Sequence, residues 1–266
     1  MADKSIALMG AICGDIIGSP YEFWKTRTKN YDFNLFPLRG KFTDDTVMSI
    51  AVADWIMHGG DLAQVIQKWG LKYPKAGYGG MFKHWLAEED PQPYFSFGNG
   101  SAMRVSPVGC AFSTLEETLQ KAAESAEVTH NHPEGIKGAQ ATAAAIFMAR
   151  NGKSKDEIRE YLSENFGYDL SREYETIKPG YKFDATCQGS VPESLICFLE
   201  SKDFEDSVRL AVSMGGDADT MGAICGSVAA PYFGGIPEDI YNKCWAKLTE
   251  DIREVVTEFK AFCNKD

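Results

Sequence analysis

The chain has 266 residues, 44% apolar and 24% charged, with no low-complexity tract, enough for one large domain or two small ones around a real core. A formal net charge of −11 and a pI near 4.9 argue against broad nucleic-acid or anionic-membrane contact, and suit divalent cations, which need carboxylate clusters. The seven cysteines are odd in number and form no C-x-x-C pair, which reads as buried free thiols in a reducing cytosol.

Apolar spacing near 3.6 dominates from the start. "SIALMGAICGDIIGSPYEF" predicts a helix ended by Ser19-Pro20. It has no basic leader, and Asp15 and several glycines interrupt it, so neither a signal peptide nor a membrane span is expected. "DDTVMSIAVADWIMHGG" predicts a helix from near Thr43 to Gly59-Gly60, and "DLAQVIQKWGLKY" another with Asp61 as N-cap. Residues 86–101 read as a long loop. "TLEETLQKAAESAEVTH" opens with Thr114-x-x-Glu117, a capping-box pattern, and ends at "HNHPEG", where Asn131 is the expected cap. Pro133 suits the first turn of "PEGIKGAQATAAAIFMARNG". "SKDEIREYLSENFG" is helical and 165–188 reads as a second long loop. "VPESLICFLES", "DFEDSVRLAVSMGG", "DADTMGAICGSVAAPYFG" and one carboxy-terminal helix, "NKCWAKLTEDIREVVTEFKAFC", complete the series. No strands alternate with these segments. The prediction is an all-α fold, one compact orthogonal helical domain over 1–266, with ten or more helices.

One echo stands out. "MGAICGD" at 9–15 returns as "MGAICGS" at 221–227, each with two glycines four apart on one helix face. Glycine inside a helix costs about 1 kcal/mol against alanine, so a close crossing of the two helices near the centre is the expected return. Coincidence plus ordinary packing is the competing explanation.

Two segments crowd hard oxygen donors at a helix start: "FTDDTVMS" at 42–49 and "GGDADTMG" at 215–222. Asp44, Asp45, Asp217 and Asp219 could each serve as an N-terminal cap, but capping needs one acid per helix. The second acid in each segment points to a metal. Carboxylates with threonine hydroxyls suit Mg²⁺, Mn²⁺ or Ca²⁺ rather than zinc, and four acids can hold two ions. Glu22, in the loop after Pro20, is the preferred further acid. Asp15 reads instead as a buried structural acid or a partner one step removed from the ions. "SFGNGSAMRVSPVG" at 96–109 is a glycine-rich loop whose N–H groups at Gly98 and Gly100 could face an anion, and Arg104 could pair with a phosphate or with a core acid. In "THNHPEG" the two histidines lack the partners of a zinc site; the segment reads as a helix junction capped by Asn131, with His130 or His132 near a ligand phosphate as the alternative.

Taken in order, "GAICGDIIGSPYEF", "FTDDTVMS", "GNGSAMRV", "THNHPEG", "VPESLICFLES" and "SMGGDADTMGAICGSVAAPYFG" resemble the ADP-ribosylglycohydrolase family. That family includes the dinitrogenase reductase-activating glycohydrolase and the animal ADP-ribosyl-acceptor hydrolases. The resemblance implies an all-α hydrolase using two divalent ions, Mg²⁺ or Mn²⁺, to release ADP-ribose from a protein, small-molecule or nucleic-acid conjugate; a cytoplasmic monomer is the separate expectation. It implies metal ligands at Thr43, Asp44, Asp45, Asp217, Asp219 and Thr220, and catalytic roles for Glu22 and Asp45. It places Ser96, Gly98, Asn99 and Gly100 on the ADP-ribose diphosphate and ribose, with Glu22 and His130 beside the same ligand. The stretch 152–188 would help set acceptor preference. One alternative is a catalytically silent ADP-ribose-binding or structural member of the same fold, against which all the ligand types are present. Another is a haloacid dehalogenase-type phosphatase, suggested by "DADT"; that motif belongs after a buried strand near the amino terminus, and here it lies late in a helical chain.

Overall fold

The computed structural model describes residues 3–23 and 25–265. The predicted all-α class is what it adopts: among the described residues there are fifteen α-helices, one 3₁₀ turn and, in place of strands, a lone bridge between Gly98 and Thr186.

Helix α1 (Ile6–Gly18) passes into the 3₁₀ turn Ser19–Tyr21, as the Ser-Pro pair predicts. Then come α2 (Asp44–His58) and α3 (Leu62–Lys72), the latter capped by Asp61, whose carboxylate accepts the Ala63 N–H at 2.8 Å. The stretch read as loop between 86 and 101 is framed by α4 (Gly80–Leu86) and the short α5 (Gly100–Met103), followed by α6 (Ser106–Ala111). Helix α7 (Leu115–Glu127) starts at Thr114, which accepts the Glu117 N–H. Helix α8 (Pro133–Arg150) is capped by His132 through Nδ1, not by Asn131, whose side chain accepts the Phe95 N–H instead.

The full capping box lies at α9 (Lys155–Phe166), between Ser154 and Glu157. The second expected loop contains α10 (Tyr174–Ile177), and α11 (Cys187–Glu200) begins four residues ahead of "VPES". Helices α12 (Phe204–Ser213) and α13 (Ala218–Tyr232) follow as predicted. The carboxy-terminal segment is two helices, α14 (Glu238–Trp245) and α15 (Glu250–Cys263), because Thr249 is extended and heads a new first turn with two acids.

The echo is a seam. Helices α1 and α13 are buried almost all round, the signature of central helices. They run antiparallel with Gly10 against Gly226, Gly14 against Gly222 and Gly18 against Ala218. A Cβ added at Gly14 would lie 1.9 Å from the Gly222 carbonyl oxygen, and one at Gly10 would lie 2.3 Å from that of Gly226. Only glycine permits this backbone-to-backbone approach. The other long helices pack round the pair, so one apolar core runs from Ala7 to Cys263. A smaller cluster centres on Val105, Val108 and Ala139. All seven cysteines are buried free thiols. No helix among the described residues is long and apolar enough to cross a membrane.

Candidate active site

The seam ends where the chemistry begins. Asp15 lies on α1 beside Gly14, and Asp217 and Asp219 open α13 on either side of Ala218, the residue that faces Gly18. Helix α2 brings Asp44 and Asp45 to the same place. Carboxylate oxygens of Asp15, Asp45 and Asp219 lie within 4.8 Å of one another, and so do those of Glu22, Asp217 and Asp219. The two trios share Asp219. Asp44 belongs to neither but lines the cleft above them.

None of the acids at the head of α2 is used as a cap. Thr43 is the N-cap of α2 and Asp217 that of α13, and neither side chain closes the turn. Two of the donors at the head of α2 are met from another helix: Asp15 accepts the Thr43 N–H at 2.8 Å and the Thr46 N–H at 3.1 Å. Asp45 Oδ1 is buried without a hydrogen-bond partner. A carboxylate oxygen shut away from water and donors suits a cation, and a set made only of carboxylates and hydroxyls suits a hard one.

Burial is the main cause that holds these carboxyls above their usual range, with mutual repulsion added. It raises Glu22 to about 7, helped by the charges of Asp217 and Asp15, and Asp44 to about 7, helped by Asp15. Asp45 and Asp219 are pushed well up, and Asp217 is raised by burial against the bond from Asn99. Asp15 is lifted by burial but held to about 6 by its bonds from Thr43 and Thr46. Arg27 eases the repulsion at Glu22 and Asp217 by charge alone, since its Nη2 donates to the Glu22 carbonyl rather than to a carboxylate.

The cleft is about 540 Å³, a volume that suits a nucleotide-sized ligand. Its lining includes the acids Glu22, Asp44, Asp45, Asp217 and Asp219 with Thr220, and also Ser96, Gly98, Asn99, Gly100 and His130. Thr43 lies outside this lining: its hydroxyl donates to Asp15 at 2.7 Å, with Asp45 at 3.3 Å. The glycine loop differs from a free anion nest. The Gly98 N–H goes to the Ser96 hydroxyl and the Asn99 N–H to the Ala185 carbonyl. The Asn99 amide reaches Asp217 at 2.8 Å, so this loop residue steadies a carboxylate of the cluster.

Gly100 makes room for His130, whose Nε2 lies 3.0 Å from where a Cβ would stand. Arg104, wholly buried, donates to the Ser125 carbonyl and the Thr129 hydroxyl, not to a core acid, and its Nε has no partner. Thr129 then meets His130 Nδ1 at 2.7 Å. The Thr129 oxygen accepts from Arg104 and keeps its own proton, which it can give to Nδ1; in that tautomer the His130 proton sits on Nε2, the nitrogen beside Gly100. Burial and the Arg104 charge push His130 well down, so the ring is neutral. His132 takes no part; it caps α8 and packs edge-on to Phe95 and Phe97.

Sequence reasoning missed the loop "KAGYGG" at 75–80. It closes on α2 through the Asp44 N–H to the Ala76 carbonyl, and Gly77, Gly79 and Gly80 line the cleft. Gly77 has φ +123° and lies so near Asp44 that a Cβ would stand 3.0 Å from its Oδ1. Three glycines in four residues were the available signal. Phe183, half exposed at the mouth beneath the Arg27 guanidinium, was also missed, in a loop without any motif.

The family model described as ADP-ribosylglycohydrolase matches residues 6–264. The chain is 25% identical to human ADP-ribosylhydrolase ARH3 over 92% of its length and 90% of that protein's. It is 25% identical to the ADP-ribosyl-[dinitrogen reductase] glycohydrolase of Rhodospirillum rubrum over 98% and 96% of the two chains. A solved structure titled "ADP-ribosylglycohydrolase-related protein complex" superposes with a TM-score of 0.70 at 24% identity, covering 98% of this chain and 99% of the other.

Proposed function

The chain belongs to the ADP-ribosylglycohydrolase family of ADP-ribosyl hydrolases, and on that premise we propose that it is a binuclear Mg²⁺- or Mn²⁺-dependent enzyme that cleaves the glycosidic bond at the distal ribose anomeric carbon. One observation carries the reading: Asp45, Asp217 and Glu22 gather around Asp219 in a cleft that the Gly98–Gly100 loop and His130 also line. Thr43, Asp44, Asp45, Asp217, Asp219 and Thr220 would hold the ions. When bound, these supply positive charge to the ribose hydroxyls and to a water whose pKa they lower.

The residues of the chain divide the remaining work. Ser96, Gly98, Asn99 and Gly100 hold the diphosphate and ribose, and Asn99 keeps Asp217 in orientation. His130, held neutral by burial and the Arg104 charge, faces the ligand through Nε2 without adding charge. The bond breaks through an oxocarbenium-like transition state. Glu22, whose carboxylate lies within 4.8 Å of those of Asp217 and Asp219, is placed at the cluster to give or take a proton, with Asp45 as the other catalytic carboxylate. The conjugate cleaved is an ADP-ribosylated protein, small molecule or nucleic-acid end, and the enzyme acts in the cytoplasm as a monomer with residues 1–266 forming one domain. The test is an ADP-ribose release assay over arginine-, serine- and phosphate-linked conjugates and O-acetyl-ADP-ribose, each with Mg²⁺, Mn²⁺ or EDTA. Release from at least one conjugate that EDTA stops supports the reading. No release from any, or release undiminished by EDTA, refutes it.

A further inference from the structure

Four hydrogen bonds converge on one buried carboxylate between the two halves of the cluster. Asp15 is wholly inaccessible to solvent. Its Oδ1 accepts the Thr43 hydroxyl at 2.7 Å. Its Oδ2 accepts the Thr43 N–H at 2.8 Å, the Thr46 N–H at 3.1 Å and the Thr46 hydroxyl. A helix start needs acceptors for its first N–H groups, and these are normally found within the same turn. Here Thr43 heads α2 without capping it, and the acceptor comes from α1.

This arrangement has two consequences. Asp44 and Asp45 are excused from capping and left to the cleft. The Thr43 hydroxyl, having one proton, gives it to Asp15 at 2.7 Å rather than to Asp45 at 3.3 Å, which turns the oxygen lone pairs toward the cluster. Asp15 falls within one of the carboxylate trios, yet both its oxygens are engaged by donors, whereas Asp45 Oδ1 is bare. The acid that looks like a ligand by proximity is a fastening by bonding.

We propose that Asp15 is a positioning residue: from α1 it caps α2 and accepts the Thr43 hydroxyl hydrogen bond, so that the Thr43 oxygen, Asp44 and Asp45 are presented together to a divalent cation. The proposal rests on reading the cluster as a cation site. Outer partners that orient ligands typically contribute tenfold to a hundredfold to metal affinity.

The decisive variant is Thr46→Val, which keeps the shape of a side chain whose hydroxyl bonds Asp15 and which is itself no ligand. The measurement is Mn²⁺ affinity by calorimetry, beside amide hydrogen exchange of residues 43–47 in EDTA. Thr46→Val should bind Mn²⁺ roughly threefold to tenfold more weakly, with faster exchange at the head of α2. Asp15→Asn should bind it at least about tenfold more weakly, and the double variant no more weakly than Asp15→Asn alone. If Asp15 were itself a ligand, Thr46→Val would leave Mn²⁺ affinity unchanged or tighter, and either result overturns the proposal. Should Asp15→Asn fail to fold, Thr46→Val decides alone. A wild-type protein that binds Mn²⁺ but releases no ADP-ribose would refute the hydrolase reading and leave this one standing.

Discussion

Adding one methyl group at Gly14 tests the seam from which the rest of the site hangs. The Cβ of Gly14→Ala would lie 1.9 Å from the Gly222 oxygen, 2.2 Å from its carbon and 2.7 Å from the Ala223 nitrogen, where ordinary contact begins at 3.4 Å. The helices must part locally by roughly 1.5 Å to make room, and the obstacle is backbone, which has no rotamer to change. Overpacking costs about 1–3 kcal/mol and sometimes more, and this contact belongs at the top of that range. Helix propensity returns about 1 kcal/mol. The net loss is at least about 2 kcal/mol, a fall of about 5 °C or more in Tm for a chain of this size. Circular dichroism at 222 nm during heating measures it, with Gly180→Ala as control because a Cβ there meets nothing closer than 4.0 Å. If Gly14→Ala melts within 1 °C or so of the wild type while the control behaves, the helices do not cross as described and the argument fails.

Asp217→Asn should reduce ADP-ribose release to background while raising the Tm of the ion-free protein, because the Asp217 charge that repels Glu22, Asp44, Asp45 and Asp219 is gone; loss of activity with loss of stability would point to misfolding instead. In EDTA the wild type should grow less stable as pH rises from about 4 to 7: Asp15 near 6 and Glu22 and Asp44 near 7 hold protons in the folded chain that the unfolded chain has released. Where the native state binds more protons, stability falls with pH. Melting curves from pH 4.5 to 7.5 check the sign, and a Tm that climbs over that window in EDTA contradicts it. Added Mg²⁺ should raise the Tm most at the high end. After chelation, Mg²⁺ or Mn²⁺ should restore turnover and Zn²⁺ should not, since the cluster offers oxygen alone; recovery with Zn²⁺ would argue for a different site.

Legibility followed the range of the interaction. The α1–α13 seam was readable because glycines four apart inside an apolar helix are costly, and two copies imply a shared return. The acidic segments were readable because they held more acids than capping requires. What failed depended on partners far away in the chain. Asn131 is the better cap by type, but its side chain is committed to Phe95, and His132 takes the post. The break between α14 and α15 falls in "WAKLTED", where neither glycine nor proline marks it and only Thr249 before two acids gives notice. Of the two N–H groups that the glycines suggested for an anion, that of Gly98 goes to the Ser96 hydroxyl, a bond within the loop that glycine spacing does not announce. The closure of Gly77 over Asp44 joins residues thirty-three apart through a loop with no periodicity to read.

Stability and chemistry share the same few residues here. Gly14 faces Gly222 and Gly18 faces Ala218, and these contacts bring Asp15 of α1 within 4.8 Å of Asp219 of α13. Were the seam wider by a methyl group at each crossing, the two halves of the cluster would separate by a comparable distance. Conversely, the burial that makes the seam favourable is what makes the ion-free acids unfavourable, since desolvation is the main cause of every raised carboxyl in the cluster. A stabilising substitution along the seam must therefore spare its glycines. Neutralising the acids would relieve the ion-free fold and remove the proposed cation site in one step.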